Sequence, residues 1–137
     1  MNNILQKKAL NILKENKLRL TKQRVSLVEN IYYNGDRHIT AESLYKQMVK
    51  EGIKISLATV YNTLHFLTKV GMLRNITVNS SQKYFDTNVT PHHHFYDESN
   101  NSLIDIPKHK INFLKMPSPP KSKKISDVEV IISLKNK

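Results

Sequence analysis

Three consecutive histidines, His92, His93 and His94, are the strongest chemical signal in this sequence. They open a run, His92 to Asp97, that reads as a β-strand, and side chains alternate across a strand. His92 and His94 therefore share one face while His93 takes the other. His92 and His94 form an H-x-H pair able to hold one metal ion, and Tyr96 continues their face. Asp86, a few residues upstream, supplies a carboxylate. His38 is distant in sequence, in a loop ahead of a helix. As a ligand it would span a hinge, so that binding would fix two parts of the protein relative to each other.

The elements that must position these groups differ between the two parts of the chain. In the first part, Leu5, Ala9, Ile12 and Leu13 recur at helical spacing. Thr21 offers an N-cap to a second helix with Val25, Val28, Ile31 and Tyr32 on one face, ending at Asn34-Gly35. Thr40 caps a third, with Ala41, Leu44, Tyr45 and Met48 inward, ending at Glu51-Gly52. Ser56 caps a fourth, with an inward stripe of Leu57, Val60, Leu64 and Leu67, stopped by Gly71. Two alternating runs, Met72 to Val78 and Gln82 to Asp86, joined by Asn79, Ser80 and Ser81, make a hairpin. The polar stretch Thr87 to Pro91 reads as a hinge. Beyond it, a hairpin from His93 to Ile106 turns at Asn100-Asn101, and a last strand places Val128, Val130, Ile132 and Leu134 on one side. Between them, Pro117 to Lys124 is too proline-rich for helix or central strand.

Two short helices followed by a hairpin describe a winged helix-turn-helix that presents its fourth helix to a DNA major groove. With Val60 and Leu64 inward, the opposite face shows Ala58, Asn62, His65 and Lys69, flanked by Thr59, Tyr61 and Phe66. Ala58 allows close approach, Asn62 can bond bidentately to adenine, and Thr59 or Tyr61 can touch a thymine methyl or a phosphate. An exposed Tyr and Phe beside a polar stripe call for a partner. Arg19, in the link before the second helix, can reach a minor groove, whereas Lys22 and Arg24 in that helix's first turn suit phosphates.

Composition agrees with a nucleic-acid partner. The 137 residues carry 22 Lys plus Arg against 11 Asp plus Glu, a net charge of +11. Residues 1 to 86 hold 14 basic and 6 acidic side chains, a balance of +8, and the remainder only +3. There is no cysteine, which excludes disulfides, Cys-bound structural zinc, a redox dithiol and a cysteine nucleophile. No apolar run approaches a membrane span, and Met1 to Lys8 lacks the apolar core of a signal peptide. The expected compartment is the cytoplasm. With no H-E-x-x-H, no general base beside the triplet and no glycine-rich phosphate loop, an enzyme is not expected.

Four segments then carry a resemblance over nearly the whole chain: Leu18-Arg19-Leu20-Thr21-Lys22-Gln23-Arg24, His38-Ile39-Thr40-Ala41-Glu42-Ser43-Leu44-Tyr45, Ser56 to Leu64, and His92-His93-His94. In this order they resemble the ferric uptake regulator (Fur) superfamily. Tyr61-Asn62-Thr63-Leu64, His94-Phe95-Tyr96, Leu103-Ile104-Asp105-Ile106-Pro107 and the tail Ile125 to Leu134 look most like its iron response regulator (Irr) branch. The resemblance implies a homodimeric repressor or activator of iron and haem genes that responds to a divalent metal (Fe, Mn or Zn), to haem, or to both. It implies an inter-domain metal site matching His38, Asp86 and His94, to which the H-x-H reading adds His92. It matches His93 to a ligand of a second regulatory site whose partner carboxylate is replaced by Phe95. It also implicates the triplet His92, His93 and His94, with Tyr96, in haem binding, since the Cys-Pro haem motif of some Irr proteins is impossible here.

The expectation is thus an α+β protein: a winged-helix DNA-binding domain over residues 1–86, a hinge over 87–91, and a small α/β or mostly β dimerisation and sensing domain over 92–137. Its expected partners are an operator in double-stranded DNA and a second copy of itself. The alternatives are a Fur-family repressor sensing manganese or zinc, and a non-regulatory nucleic-acid-binding protein.

Overall fold

The computed structural model describes residues 4–33, 35–79 and 82–137. They fall into two compact units, Met1–Val89 and Thr90–Lys137. Among the described residues no helix is long and apolar enough to cross a membrane.

The first unit begins with helices α1 (Ile4–Glu15), α2 (Lys22–Ile31), α3 (Ala41–Lys50) and α4 (Leu57–Lys69). Each of the three expected N-caps forms. The Thr21, Thr40 and Ser56 hydroxyls accept from the backbone N–H of Arg24, Ser43 and Thr59, satisfying donors that the first turn leaves unpaired. At Thr40 the bond is reciprocal, because Ser43 reaches back to the Thr40 N–H. The ends of α1, α3 and α4 share one geometry. After α4, Met72 N–H donates to the Leu67 carbonyl and Gly71 N–H to Thr68, with Gly71 at φ +82°. After α1 the same pair of bonds forms around Lys17 at φ +61°, a left-handed position that glycine would occupy without strain. The Asn34 part of the expected α2 stop, and the Ser80-Ser81 turn, lie outside the described residues.

The core of this unit is Ala9, Leu13, Leu27, Val28, Ile31, Leu44, Met48, Val60, Leu64, Leu67 and Phe85, all essentially inaccessible to water. Two side-chain hydrogen bonds tie the elements around it. Gln6 donates to the Glu29 carbonyl, docking α1 on α2, and the Tyr32 hydroxyl donates to the Met72 carbonyl at 2.8 Å. The inward stripe of α4 departs from expectation at one point. Leu57, at the first helical position, is 39% exposed, and Thr63 joins Val60, Leu64 and Leu67 in the buried set. Burial of Thr63 is tolerable because its hydroxyl donates to the Thr59 carbonyl within the helix.

The hairpin expected after α4 forms as β2 (Arg74–Asn79) and β3 (Gln82–Asp86). A two-residue strand β1 (His38–Ile39) adds to it, giving a sheet in the order β1-β3-β2. His38 is therefore strand, not loop, and stands directly opposite Asp86. The second unit is a three-stranded sheet of β4 (His92–Asp97), β5 (Ser102–Pro107) and β6 (Ile131–Leu134), ordered β5-β4-β6. The β4–β5 pair is antiparallel and β6 lies parallel to β4. The turn occupies residues 98–101, with Asn101 at φ +54°. The turn contains Asn100-Asn101 and His93 pairs with Ile106, the ends expected of the hairpin, and this register sets Asp105 opposite His94. The last strand is shorter than the run from Val128 to Leu134, and Ile132 on it is 39% exposed. A 3₁₀ turn at Lys108–Lys110 is followed by chain without regular structure up to β6.

Candidate metal centre and nucleic-acid face

Each unit brings candidate ligands together within itself. In the first, cross-strand pairing brings His38 Nε2 to 3.2 Å from Asp86 Oδ2. Asp86 is fully buried, and its other oxygen accepts from the Asn88 N–H at 2.9 Å.

In the second unit His92, His93 and His94 are all buried, and the hydrogen bonds on each ring decide which nitrogen can bind a metal. His92 Nδ1 lies 2.6 Å from the Thr90 carbonyl oxygen and His94 Nδ1 lies 3.2 Å from Glu129 Oε1. Both partners only accept, so in each ring Nδ1 donates and Nε2 holds the lone pair. Both Nε2 atoms point to one place: each is 3.3 Å from Asp105 Oδ1. Two imidazole lone pairs facing one carboxylate oxygen repel one another unless a proton or cation sits among them. His92, His94 and Asp105 are thus a donor group that could hold a metal ion. Outer acceptors already fix their tautomers, as in protein metal sites generally.

His93 has the opposite polarity. Its Nδ1 accepts from the Val130 N–H at 2.9 Å, which places the proton on Nε2. That Nε2 is buried and has no hydrogen-bond partner among the described residues. A protonated nitrogen is not a metal ligand, so the haem or second-metal role expected of His93 does not fit this arrangement. Leaving such a donor unpaired costs about 1–3 kcal/mol. Tyr96 is buried on the His94 face, and its hydroxyl donates to Asn101 Oδ1 at 2.7 Å, tying the β4–β5 turn.

Asp105 and Glu129 are the residues that sequence reasoning missed. Asp105 lies within the expected hairpin, whose pairing of His93 with Ile106 already sets it across from His94, but sequence alone did not mark it as a ligand. Glu129 carries no local signal, since it meets His94 through the parallel β4–β6 pairing.

On the first unit, Ala58 and Asn62 are exposed along α4 together with His65 and Lys69. Thr59 is half-buried in the first turn. Tyr61 and Phe66 are not the free aromatics expected: both are half-buried and packed on the core, and the Tyr61 hydroxyl donates to Glu42. That bond, ahead of burial, holds the phenol above its ordinary pKa. Arg19 and Lys22 are exposed, while Arg24 is half-buried and donates through Nη1 to the Arg19 carbonyl at 2.9 Å. Arg24 and Lys54 border a shallow cleft at the starts of α2 and α4, lined also by Ser56 and Thr59.

The first unit is a helix-turn-helix with a β-wing, and the second is a histidine-bearing sheet. Comparison with known proteins makes the assignment specific. The family model for the "Ferric uptake regulator family" matches residues 15–133. The chain is 32% identical over 100 residues to the peroxide operon regulator of Bacillus subtilis, covering 73% of this chain and 68% of that protein. It is 35% identical over 92 residues to the ferric uptake regulation protein of Campylobacter upsaliensis, covering 66% of this chain but only 58% of that protein. Among solved structures, the ferric uptake regulator of Pseudomonas aeruginosa with manganese matches the fold with a TM-score of 0.67 at 19% identity, over 94% of this chain and 98% of that one. The chain belongs to the ferric uptake regulator family, whose members are transcription regulators and not enzymes. These relatives are ferric-uptake and peroxide regulators, and they lend no support to a particular likeness to the Irr branch.

Proposed function

We propose that this protein is a metal-dependent transcription regulator of the cytoplasm that binds operator DNA as a homodimer. His38 and Asp86 of the first unit and His92, His94 and Asp105 of the second hold one divalent ion between them. The observation that carries this reading is the convergence of two tautomer-fixed imidazole lone pairs on Asp105. Three imidazoles and two carboxylates, with no thiolate, suit iron or manganese and also accept zinc. Neither half is a complete coordination sphere, so an ion would favour one arrangement of the two units over others.

At the DNA, Arg19, Lys22 and Arg24 supply phosphate or minor-groove contacts, while Ala58, Thr59, Tyr61 and Asn62 meet the major groove. The tie from Glu42 leaves the ring of Tyr61 as its contact surface. Control of iron genes is the reading that the likeness to ferric uptake regulation proteins supports. Haem is the weaker ligand, because His93 turns its proton outward and His92 and His94 aim at a carboxylate. The likeness to a protein named as a peroxide operon regulator favours a second reading, a response to peroxide. With no cysteine in the chain, oxidation at this centre would fall on histidine.

Selection from randomised duplexes with and without Mn(II) tests the proposal. A palindromic site enriched only with metal is expected. Binding that ignores both sequence and metal would return the protein to the class of general nucleic-acid binders.

A further inference from the structure

The second unit contains a groove of about 690 Å³ between the start of β4, the 3₁₀ turn and the chain leading to β6, within the size range of small-molecule sites. Its apolar lining includes Phe113, Met116, Ile125 and Val128. The first three are 41–46% exposed, leaving large apolar surfaces open to water. Lys108, His109 and Asp127 line it as well. The informative member is His93. It lines the groove, is only 3% exposed, stands edge-on to Phe113 with ring centroids 6.1 Å apart, and carries a buried Nε2–H with no acceptor. The Val130 N–H on its other nitrogen fixes that proton in place. The groove therefore offers a cation and apolar walls beside a buried donor, and offers a metal nothing at His93.

We propose that this groove binds a small amphipathic carboxylate, with its apolar body against Phe113, Met116 and Ile125, and its carboxylate drawn by Lys108 and accepting from His93 Nε2–H. A carboxylate supplies the acceptor that the unpaired donor calls for, and Lys108 stands beside it as a cation. The inference needs neither metal nor DNA, so its test is separate from that of the regulator reading.

The test uses the full-length metal-free chain, calorimetry, and NMR of ¹⁵N-histidine-labelled protein, with decanoate below its micelle concentration. Decanol and decyltrimethylammonium share the apolar body and serve as comparators. One decanoate per chain is expected, bound at least tenfold more tightly than either comparator, with a downfield shift of the His93 Nε2–H proton. Lys108→Glu, at an exposed position, and His93→Leu should each weaken decanoate at least tenfold. If His93→Leu does not fold, Lys108→Glu and the proton shift carry the test. Equal binding of decanol would reduce the groove to a greasy patch. Absence of binding by a chain shown to be dimeric would give the groove to a second copy. Binding only to phosphatidylglycerol vesicles would give it to a membrane surface. Decanoate affinity unchanged by Lys108→Glu, with no shift at His93, would also overturn the proposal.

Discussion

Glu129→Ala isolates the claim that outer hydrogen bonds prepare the histidines for metal. Glu129 touches no proposed coordination position. Its Oε1 accepts from Nδ1 of His94, whose ring is wholly buried, while Glu129 itself is about a quarter exposed. Hydrogen bonds to charged groups contribute about 1.5–3 kcal/mol, and the partial exposure puts this one toward the lower end. At about 1.4 kcal/mol per factor of ten, Mn(II) affinity should fall about tenfold or somewhat more. That matches the usual 10- to 100-fold effect of removing an outer partner. Glu129→Gln, whose amide oxygen still accepts, should fall between the two. Affinity is read from the electron paramagnetic resonance signal of free Mn(II) in equilibrium titrations, with far-ultraviolet circular dichroism confirming that the variant is folded. Glu98→Ala, which removes an exposed carboxylate from the β4–β5 turn, is the control for general charge. Mn(II) affinity within twofold of wild type in Glu129→Ala, or an equal loss in Glu98→Ala, would refute the argument. NMR gives an independent check: ¹⁵N shifts should show Nδ1–H tautomers at His92 and His94 and an Nε2–H tautomer at His93.

Three other outcomes follow from the first unit. Lys17→Gly relieves the left-handed backbone after α1 and should raise stability by about 1 kcal/mol in urea unfolding, net of glycine's greater freedom in the unfolded chain. Burial holds the Tyr32 phenol above its ordinary value of about 10; its stabilising contribution is therefore complete below that pH and is lost as pH rises above it, where the unfolded chain ionises first. Urea midpoints between pH 8 and 11 should fall at the alkaline end. Tyr32→Phe should flatten that fall while costing about 1–3 kcal/mol at neutral pH, because the Met72 carbonyl loses its donor. On a selected operator, Asn62→Ala should cost about 1–3 kcal/mol and relax preference at one base position, whereas Lys22→Ala should weaken all duplexes alike and lower the salt slope. An even loss across sequences in Asn62→Ala would reassign Asn62 to the backbone.

Local chemistry made the first unit legible. Thr21, Thr40 and Ser56 announce their helices because a capping hydroxyl needs only the next three residues, and Gly52 and Gly71 mark stops because few other residues adopt a positive φ there. What escaped depends on pairing between distant segments. His38 reads as loop until β3 offers it an edge, and two residues are too short a strand to carry a pattern of their own. Thr63 was passed over because polarity alone does not reveal a hydroxyl that bonds back to its own helix. In the second unit the alternation of His92, His93 and His94 correctly separated the two faces of the strand. The same alternation says nothing about tautomers, which depend on the Thr90 carbonyl, on Glu129 and on the Val130 N–H. Those partners convert three identical side chains into two acceptors aimed at Asp105 and one donor of opposite sense.

The most direct test of the shared metal centre is stoichiometry with paired variants. Anaerobic titration of the full chain with Mn(II) or Fe(II) should show one ion at the tightest site, and His38→Ala, in the first unit, should weaken that same site by at least tenfold, as should Asp105→Asn in the second. A tight site that survives His38→Ala unchanged while Asp105→Asn abolishes it would contradict the account, because the ion would then belong to the second unit alone.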